Sequence, residues 1–381
     1  DSKVTTQKPE ETVLGRAEYL INEWKGLISG NVLYEVGTGQ EQKRDFTYVE
    51  VPPGQGEYTW NDYNGNGIPE LNEFELSQFR DQAKYIRIFT PTNEFIKANY
   101  LQFNYSFVIN PRAIIDMSKA DGFQKFLARL YFQSSLQVYK KESSGKLQFN
   151  PFAVPLQDTA LIALNQVFSN SFSFNRFSST WGMDINNIRN DNKAFLTYGY
   201  ESRRVNDWNV RGRWNITRSF LLELSGKKNR NRLVTPNFDN RNYHIGSYGI
   251  EPRISLIRGT DFRAGVGYKY DNKSNTDSVQ KATIHSLTGE IKYNVLSSSS
   301  VTAKFTYSQI RYTDPGNGNI PNTSVSYIML DALLPGRNFL WTLDFSKRLT
   351  SYLELNIQYE GRKAAASNTV HIGRASLRAL F

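Results

Sequence analysis

The chain has 381 residues, 46 Lys and Arg against 36 Asp and Glu (net charge +10), three His and no Cys. The absence of Cys excludes a disulfide framework, a zinc–thiolate centre and a Cys nucleophile. A mean hydropathy of −0.53 and the lack of any apolar run near the roughly 18 residues a spanning helix needs exclude a helical membrane protein. With 22 Tyr and 24 Phe the chain is not a disordered tail, yet 39% hydrophobic content is poor for a soluble core of this size.

In chain order, Asp1 to Glu11 is polar and charged, with no apolar segment of the signal-peptide type. The chain reads as mature, or as the C-terminal piece of a longer one. Arg16 to Val36 is a candidate strand hairpin. Gly56 to Trp60 reads as a strand. Next comes Asp62-Tyr63-Asn64-Gly65-Asn66-Gly67-Ile68-Pro69-Glu70-Leu71-Asn72-Glu73, which fills D-x-[DN]-x-[DN]-G-x5-E. It resembles the EF-hand calcium loop. The resemblance implies side-chain ligands at Asp62, Asn64 and Asn66, a sharp turn at Gly67, the carbonyl of Ile68, Glu70 directly or through water, and bidentate closure by Glu73. The entering helix is missing and Pro69 replaces the usual apolar residue. Glu73 to Gln82 is a candidate exiting helix. A structural Ca2+ site of moderate affinity is expected; a metal-free Asn-Gly turn is the bland alternative.

From residue 97 onward, alternation dominates. Candidate strands cover about Lys97–Asn110, Lys125–Lys140, Leu161–Ser173 and Ser178–Ile188. Val210, Gly212, Trp214 and Ile216 then alternate with Arg211, Arg213, Asn215 and Thr217. The same pattern recurs in Phe262 to Tyr270, Leu287 to Val295, Val301 to Ser308, Asn338 to Ser346 and Tyr352 to Glu360. A period of two puts each set on opposite faces of a strand. The segments run to about ten residues, and aromatics cluster near their ends. Both features favour a transmembrane antiparallel β-barrel over a soluble sandwich.

Loop lengths alternate. Arg258–Thr260, Leu296–Ser299 and Leu349–Ser351 are short; Leu233–Asn240, Asp271–Gln280 and Gly361–Asn368 are long. With both termini on the periplasmic side this gives about 14 strands, or about 16 with the N-terminal hairpin. It requires Asp314 to Arg337 to be a single outer loop, although Thr323 to Leu334 looks strand-like. That stretch is expected to form a cap, a non-spanning hairpin or a fold into the lumen. Residues 1–96 are read as an N-terminal strand-rich region and 97–381 as the barrel.

The last segment, Gly373 to Phe381, sets Leu377, Ala379 and Phe381 on one face. It resembles the final strand of Gram-negative outer-membrane β-barrels, which ends in Phe and is read by the barrel-assembly machinery. Ala379 is smaller than that pattern favours. The resemblance implies residence in the bacterial outer membrane, with lipid and lipopolysaccharide as neighbours. No porin eyelet or TonB-box pattern stands out.

Catalytic signals are weak. His244, His285 and His371 are scattered, and neither HExxH nor G-x-S-x-G occurs. A non-enzymatic role is expected, and no catalytic residue is assigned. Lys227, Lys228, Arg230, Arg232 and Arg241 flank an outer loop and are candidates for lipopolysaccharide phosphates. Arg211, Arg213, Arg263, Lys269, Lys292 and Lys304 fall on lumen faces. They either favour anions or pair with Glu201, Glu223, Glu290, Asp344 and Glu354 as a polar filling. No nucleic-acid motif accompanies the pI of 9.4. The favoured role is the calcium-stabilised membrane subunit of a transport, secretion or surface assembly, with protein partners. An anion-preferring diffusion pore is second, and an outer-membrane hydrolase third.

Overall fold

A computed structural model describes residues 13–143, 149–152, 156, 160–196, 199–295 and 298–379. Asp1 to Glu11 and the terminal Phe381 lie outside them. The chain is a long antiparallel meander. It begins with β1 (Leu14–Glu23) and β2 (Ile28–Glu50). A small hairpin follows, β3 (Tyr58–Trp60) and β4 (Phe74–Leu76), and then β5 (Tyr85–Ile109). A short helix α1 (Gly122–Leu127) leads to β6 (Leu130–Glu142), β7 (Leu161–Phe174), β8 (Trp181–Leu196), β9 (Gly199–Asn215), β10 (Phe220–Val234) and β11 (Tyr243–Arg258). Then come β12 (Phe262–Asn275), β13 (Lys281–Val295), β14 (Ser299–Thr313), helix α2 (Ser324–Met329), β15 (Gly336–Thr350), β16 (Leu353–Ala364) and β17 (Val370–Ala379). Of these seventeen strands, β3 and β4 stand aside. The other fifteen pair each with the next, from β1–β2 and β2–β5 to β16–β17. Among the described residues no pairing joins β17 to β1, so the barrel is not closed.

The faces follow the sequence alternation. Across adjacent strands Val210, Leu224, Ile254, Val266, Ile291, Ala303 and Leu343 share the outward face. No second layer covers its central belt: Leu224, Ile254, Val266, Leu287, Ile291 and Leu343 are 43% to 52% exposed. In water each would forgo about 1 kcal/mol of burial, and a patch this continuous marks a membrane or protein contact. Aromatics rim the belt at both ends. Trp181, Trp214, Phe220 and Tyr293 lie toward one end, and Trp208, Tyr248, Tyr270 and Tyr307 toward the other. Along β9 the rims are six residues apart, about 20 Å at 3.3–3.4 Å per residue, close to the roughly 25 Å apolar band of outer-membrane barrels.

Four expectations are corrected. Among the described residues the meander has fifteen strands, neither 14 nor 16: β5 to β17 supply thirteen, one fewer than expected, and β1 and β2 join the wall, with β2 pairing directly with β5. An odd count puts the two ends of the meander at opposite ends of the strands. β17 ends among the short turns at 259–261 and 351–352, whereas β1 begins at the end with the longer connections. The strand expected from Lys125 begins at Leu130, because Asp121 caps α1: its carboxylate accepts from the Gln124 N–H at 2.7 Å. The stretch after Glu73 is not a helix but β4 with short 3-10 turns on either side. Residue 97 falls inside β5, which runs without interruption from Tyr85.

Connection 314–335 forms a cap built around α2. Val325, Met329 and Leu330 pack on Leu233, Tyr243, Ile245, Ile284, Ile310 and Tyr312, the inward side chains at the long-connection ends of β10, β11, β13 and β14. Met329 and Leu330 are fully buried. The apolar spacing of 325, 328 and 329 is helical, and Thr323 and Ser326 form a reciprocal cap at its start.

Candidate functional site: the occupied mouth

β2 and β5 outrun their neighbours. Beyond Gly37 and before Ala98 they continue as a two-stranded ribbon, since β1 and β6 have ended. Its far end carries the β3–β4 hairpin and residues 51–84. The ribbon and hairpin share an aromatic core. Tyr48 stacks on Phe74 with centroids 3.9 Å apart, Phe74 meets Tyr85 edge-on, and Arg87 lies 5.1–5.5 Å from the rings of Phe46, Tyr58 and Phe89.

This lobe lies over the mouth of the sheet, against β16 and the α2 cap. Asp81 accepts two hydrogen bonds from Arg362 of β16, at 2.6 and 2.8 Å, while the guanidinium lies 4.2 Å from the Phe79 ring. Arg362 is inward-facing, because Tyr359 and Gly361 occupy the outward register. The Tyr327 hydroxyl of α2 accepts from the Gln78 N–H at 3.3 Å and donates to the Leu76 carbonyl at 3.5 Å. At the base of the ribbon Lys141 of β6 bonds Glu41 of β2. Below Arg80 a cavity of about 750 Å³ remains, lined by Asp344, Asn356, Gln358 and Arg374.

Between the lobe and the 235–242 connection lie buried charges. Arg241 faces Glu201 at 3.7 Å. Glu75 is 6% exposed, and its Oε1 has no hydrogen-bond partner. Burial pushes its carboxyl above the ordinary range, against the opposing pull of Arg241. Burial likewise raises the Tyr63 hydroxyl, and Glu75 adds to it.

The 62–73 loop sits on the exposed side of the lobe. Asp62 Oδ1 accepts from Gly65 and Asn66 N–H at 2.7 and 3.2 Å, and Oδ2 from Gly67 N–H at 2.8 Å. Asn64 and Asn66 each accept from the N–H two residues on, at 2.9 and 2.7 Å. Gly65 and Gly67 have φ of 75° and 72°, values costly for other residues. The side-chain oxygens at positions 1, 3 and 5 therefore turn inward over a tight coil, which fits a hard cation. Glu73 differs. It is 1% exposed, and its oxygens already accept from Trp60 Nε1, Tyr63 N–H and Glu70 N–H at 2.8, 3.2 and 3.3 Å. Glu70 accepts from the Asn64 and Asn66 amides at 3.1 and 3.4 Å. Among the described residues no three His, Cys, Asp or Glu side chains gather as a metal site. Asp62, Asn64 and Asn66, whose side-chain oxygens accept only from N–H groups of the loop itself, and the Ile68 carbonyl are the exposed oxygens that suit an ion, whereas Glu73 is buried as a structural acceptor.

Several lumen charges are paired. Arg211 faces Asp184 at 3.7 Å, Arg263 faces Glu223 at 3.8 Å, Arg253 faces Glu290 at 3.3 Å, and Lys269 pairs with Asp271. Lys304 stands opposite Glu290 in register, and Glu354 opposite Arg378. The expected outer basic cluster divides: Lys228, Arg230 and Arg232 face outward beyond Trp208 and Tyr248, Lys227 faces the lumen, and Arg241 is buried in the mouth. His285 and His371 are on the outward face. His285 bonds the Tyr268 hydroxyl at 2.6 Å and His371 the Tyr359 hydroxyl at 2.8 Å.

Sequence reasoning missed Asp81, Arg362, Phe79 and Tyr327. Their only signal was charge and aromaticity, since partners 281 residues apart leave no local pattern.

No protein-family model and no curated protein matches the chain. Among solved structures it is similar to the outer membrane channel DcaP of Acinetobacter baumannii, with 8% identity, coverage of 93% of this chain and 97% of that one, and a TM-score of 0.38. It is also similar to OmpT, an outer-membrane protein of Vibrio cholerae, with 8% identity, coverage of 95% and 100% and a TM-score of 0.37. A third is the ferric-catecholate import receptor Fiu of E. coli K12, with 9% identity, coverage of 96% and 61% and a TM-score of 0.40. Likenesses this distant decide nothing about function, which rests on the chain's own geometry.

Proposed function

We propose that the chain is an outer-membrane β-barrel whose outer mouth is occupied by its own N-terminal lobe, serving as the membrane subunit of a transport, secretion or surface assembly rather than as a free diffusion pore. One observation carries the reading: the lobe is bonded through Asp81 to inward-facing Arg362 of β16 and through Gln78 and Leu76 to Tyr327 of the α2 cap. Placement in a bilayer is supported by the uncovered apolar belt and its two aromatic rims. The lumen ion pairs Arg211–Asp184, Arg263–Glu223, Arg253–Glu290 and Lys269–Asp271 reduce the anion preference expected of a bare basic lumen. The described His residues have Tyr hydroxyls and Asp277 as partners, and the role proposed is non-enzymatic.

Calcium at Asp62, Asn64, Asn66 and Ile68 is part of this proposal. An ion there would fix the exposed side of the lobe, with Glu70 beside it and Glu73 bracing the coil. Lys228, Arg230 and Arg232, exposed above the rim at the long-connection end, suit lipopolysaccharide phosphates.

Planar-bilayer recording of the purified, heat-modifiable chain tests the main reading. The occupied mouth predicts sparse conductance that rises on weakening the lobe contacts. Steady large steps with anion preference in the unaltered protein would favour the diffusion pore.

A further inference from the structure

Arg211, Arg253, Arg263 and Arg362 each meet an acid inside the barrel. Arg80 of the lobe and Arg374 of β17 do not. Both line the cavity of about 750 Å³ beneath the lobe, and neither has an acid partner among the described residues. Arg80 spends its Nε on the Gly54 carbonyl at 3.4 Å. The Nη1 of Arg374 is buried without a hydrogen-bond partner. The two side chains converge on Gly54, where a Cβ would lie 3.3 Å from Arg374 Nη2 and 3.4 Å from Arg80 Cγ. Guanidinium groups stay protonated at any working pH. Two of them meeting without a counter-charge repel, and a buried N–H without an acceptor is unfavourable. An anion between them removes both penalties, and their planar forks match a carboxylate or a phosphate.

The rest of the cavity defines what the anion carries. Asp344, Gln358 and Arg374 form one row across β15, β16 and β17, and Ser346, Asn356 and Ser376 form the next. All six face inward, because Phe345, Ile357 and Ala375 hold the outward register. Amides and hydroxyls of this kind both donate and accept, which suits the hydroxyl groups of a ligand. Asp344 stands two strand spacings from Arg374, about 10 Å. It therefore leaves the arginine end to the negative group and accepts hydroxyl protons at the other end. The volume falls within the range of small-molecule sites.

We propose that the cavity beneath the lobe binds a small hydroxylated anion, a carboxylate or phosphate with several hydroxyl groups, whose charged end lies between Arg80 and Arg374. One arginine belongs to the lobe and the other to the wall, so the bound anion fastens the lobe in the mouth. The proposal rests on the occupied-mouth reading above.

The test uses the purified, folded chain in detergent, with gluconate and glycerol phosphate as probes. Glucose supplies hydroxyls without charge, and acetate supplies charge without hydroxyls. Calorimetry reads binding, and the rate of protease cleavage within 51–84 reads the lobe. Gluconate or glycerol phosphate should bind saturably and slow cleavage, with glucose and acetate much weaker. Arg80→Gln and Arg374→Gln should each weaken binding roughly 10- to 150-fold, the worth of one charge-assisted hydrogen bond. Arg374→Lys, which keeps the charge and loses the fork, should fall between. Arg263→Gln, outside the cavity, should bind as the parent does. Heat-modifiability confirms that each variant is folded. Failure of both probes to bind, binding untouched by either Gln substitution, or acetate or glucose binding as tightly as gluconate overturns the proposal. Conductance keeps the two readings apart: steady large steps in the unaltered protein refute the occupied mouth, whereas sparse conductance with no response to either probe refutes only the anion site.

Discussion

Arg362 of β16 grips Asp81 of the mouth lobe with two nitrogens, at 2.6 and 2.8 Å, across 281 residues of sequence. The side chains are 13% and 21% exposed, so water screens the pair weakly. The planar fork matches the carboxylate, and Phe79 stacks on its open face. This contact ties the lobe to the wall of the barrel.

Arg362→Ala is expected to loosen the lobe. Truncating one partner of a partly buried charged bond costs about 2–3 kcal/mol, or roughly 30- to 150-fold in the docking equilibrium. Single-channel recording should show a matching rise in open time, and protease should cut within 51–84 faster. Conductance unchanged from the parent protein would mean the latch lies elsewhere.

Glu75 makes a pH prediction. Its folded-state pKa is raised from 4.5, so the native state holds a proton that the unfolded chain has released. Lobe stability is therefore greatest below the ordinary carboxylate range and declines as pH rises toward the raised native value. Glu75→Gln should remove that decline and slow proteolysis of the lobe at neutral pH. A steeper pH dependence in the variant would contradict the assignment.

Gly361 has no room for a side chain, because a Cβ there would lie 2.1 Å from the Trp341 ring. The indole lies flat over the glycine on the neighbouring outward strand. Gly361→Ala should cost about 1–3 kcal/mol by overpacking. Pairing it with Trp341→Ala should recover part of that loss. The midpoint of urea unfolding in lipid vesicles reads both, and additive losses would show that the two positions are not coupled.

Calcium should protect the lobe. For an affinity of about 10⁻⁴–10⁻³ M, 10 mM free ion stabilises by about 1.4–2.7 kcal/mol. Chelation should speed cleavage within 51–84 accordingly, and Asp62→Ala should abolish the difference. Equal cleavage rates with calcium and with chelator would remove the ion from the account and leave a hydrogen-bonded turn.

The sequence by itself determined the wall. A period of two needs only neighbours, so Val210 to Thr217 or Leu287 to Val295 declared their faces and their register partners followed. Turn residues likewise fixed the loop at Asp62 to Glu73, where the side-chain hydrogen bonds within the loop span at most ten residues. Local signals could not count the strands, because β2 and β5 look alike whether they pair with each other or stand apart. Nor could they fill the mouth. Thr323 to Leu334 alternates enough to pass for a strand, and only the apolar pocket of Tyr243, Ile284 and Ile310 selects the helix that buries Met329. The Arg362–Asp81 latch, the buried Glu75 and the parallel run of β1 and β17 arise when distant segments meet. Burial and long-range pairing decided them, and neither is written in any single stretch of chain.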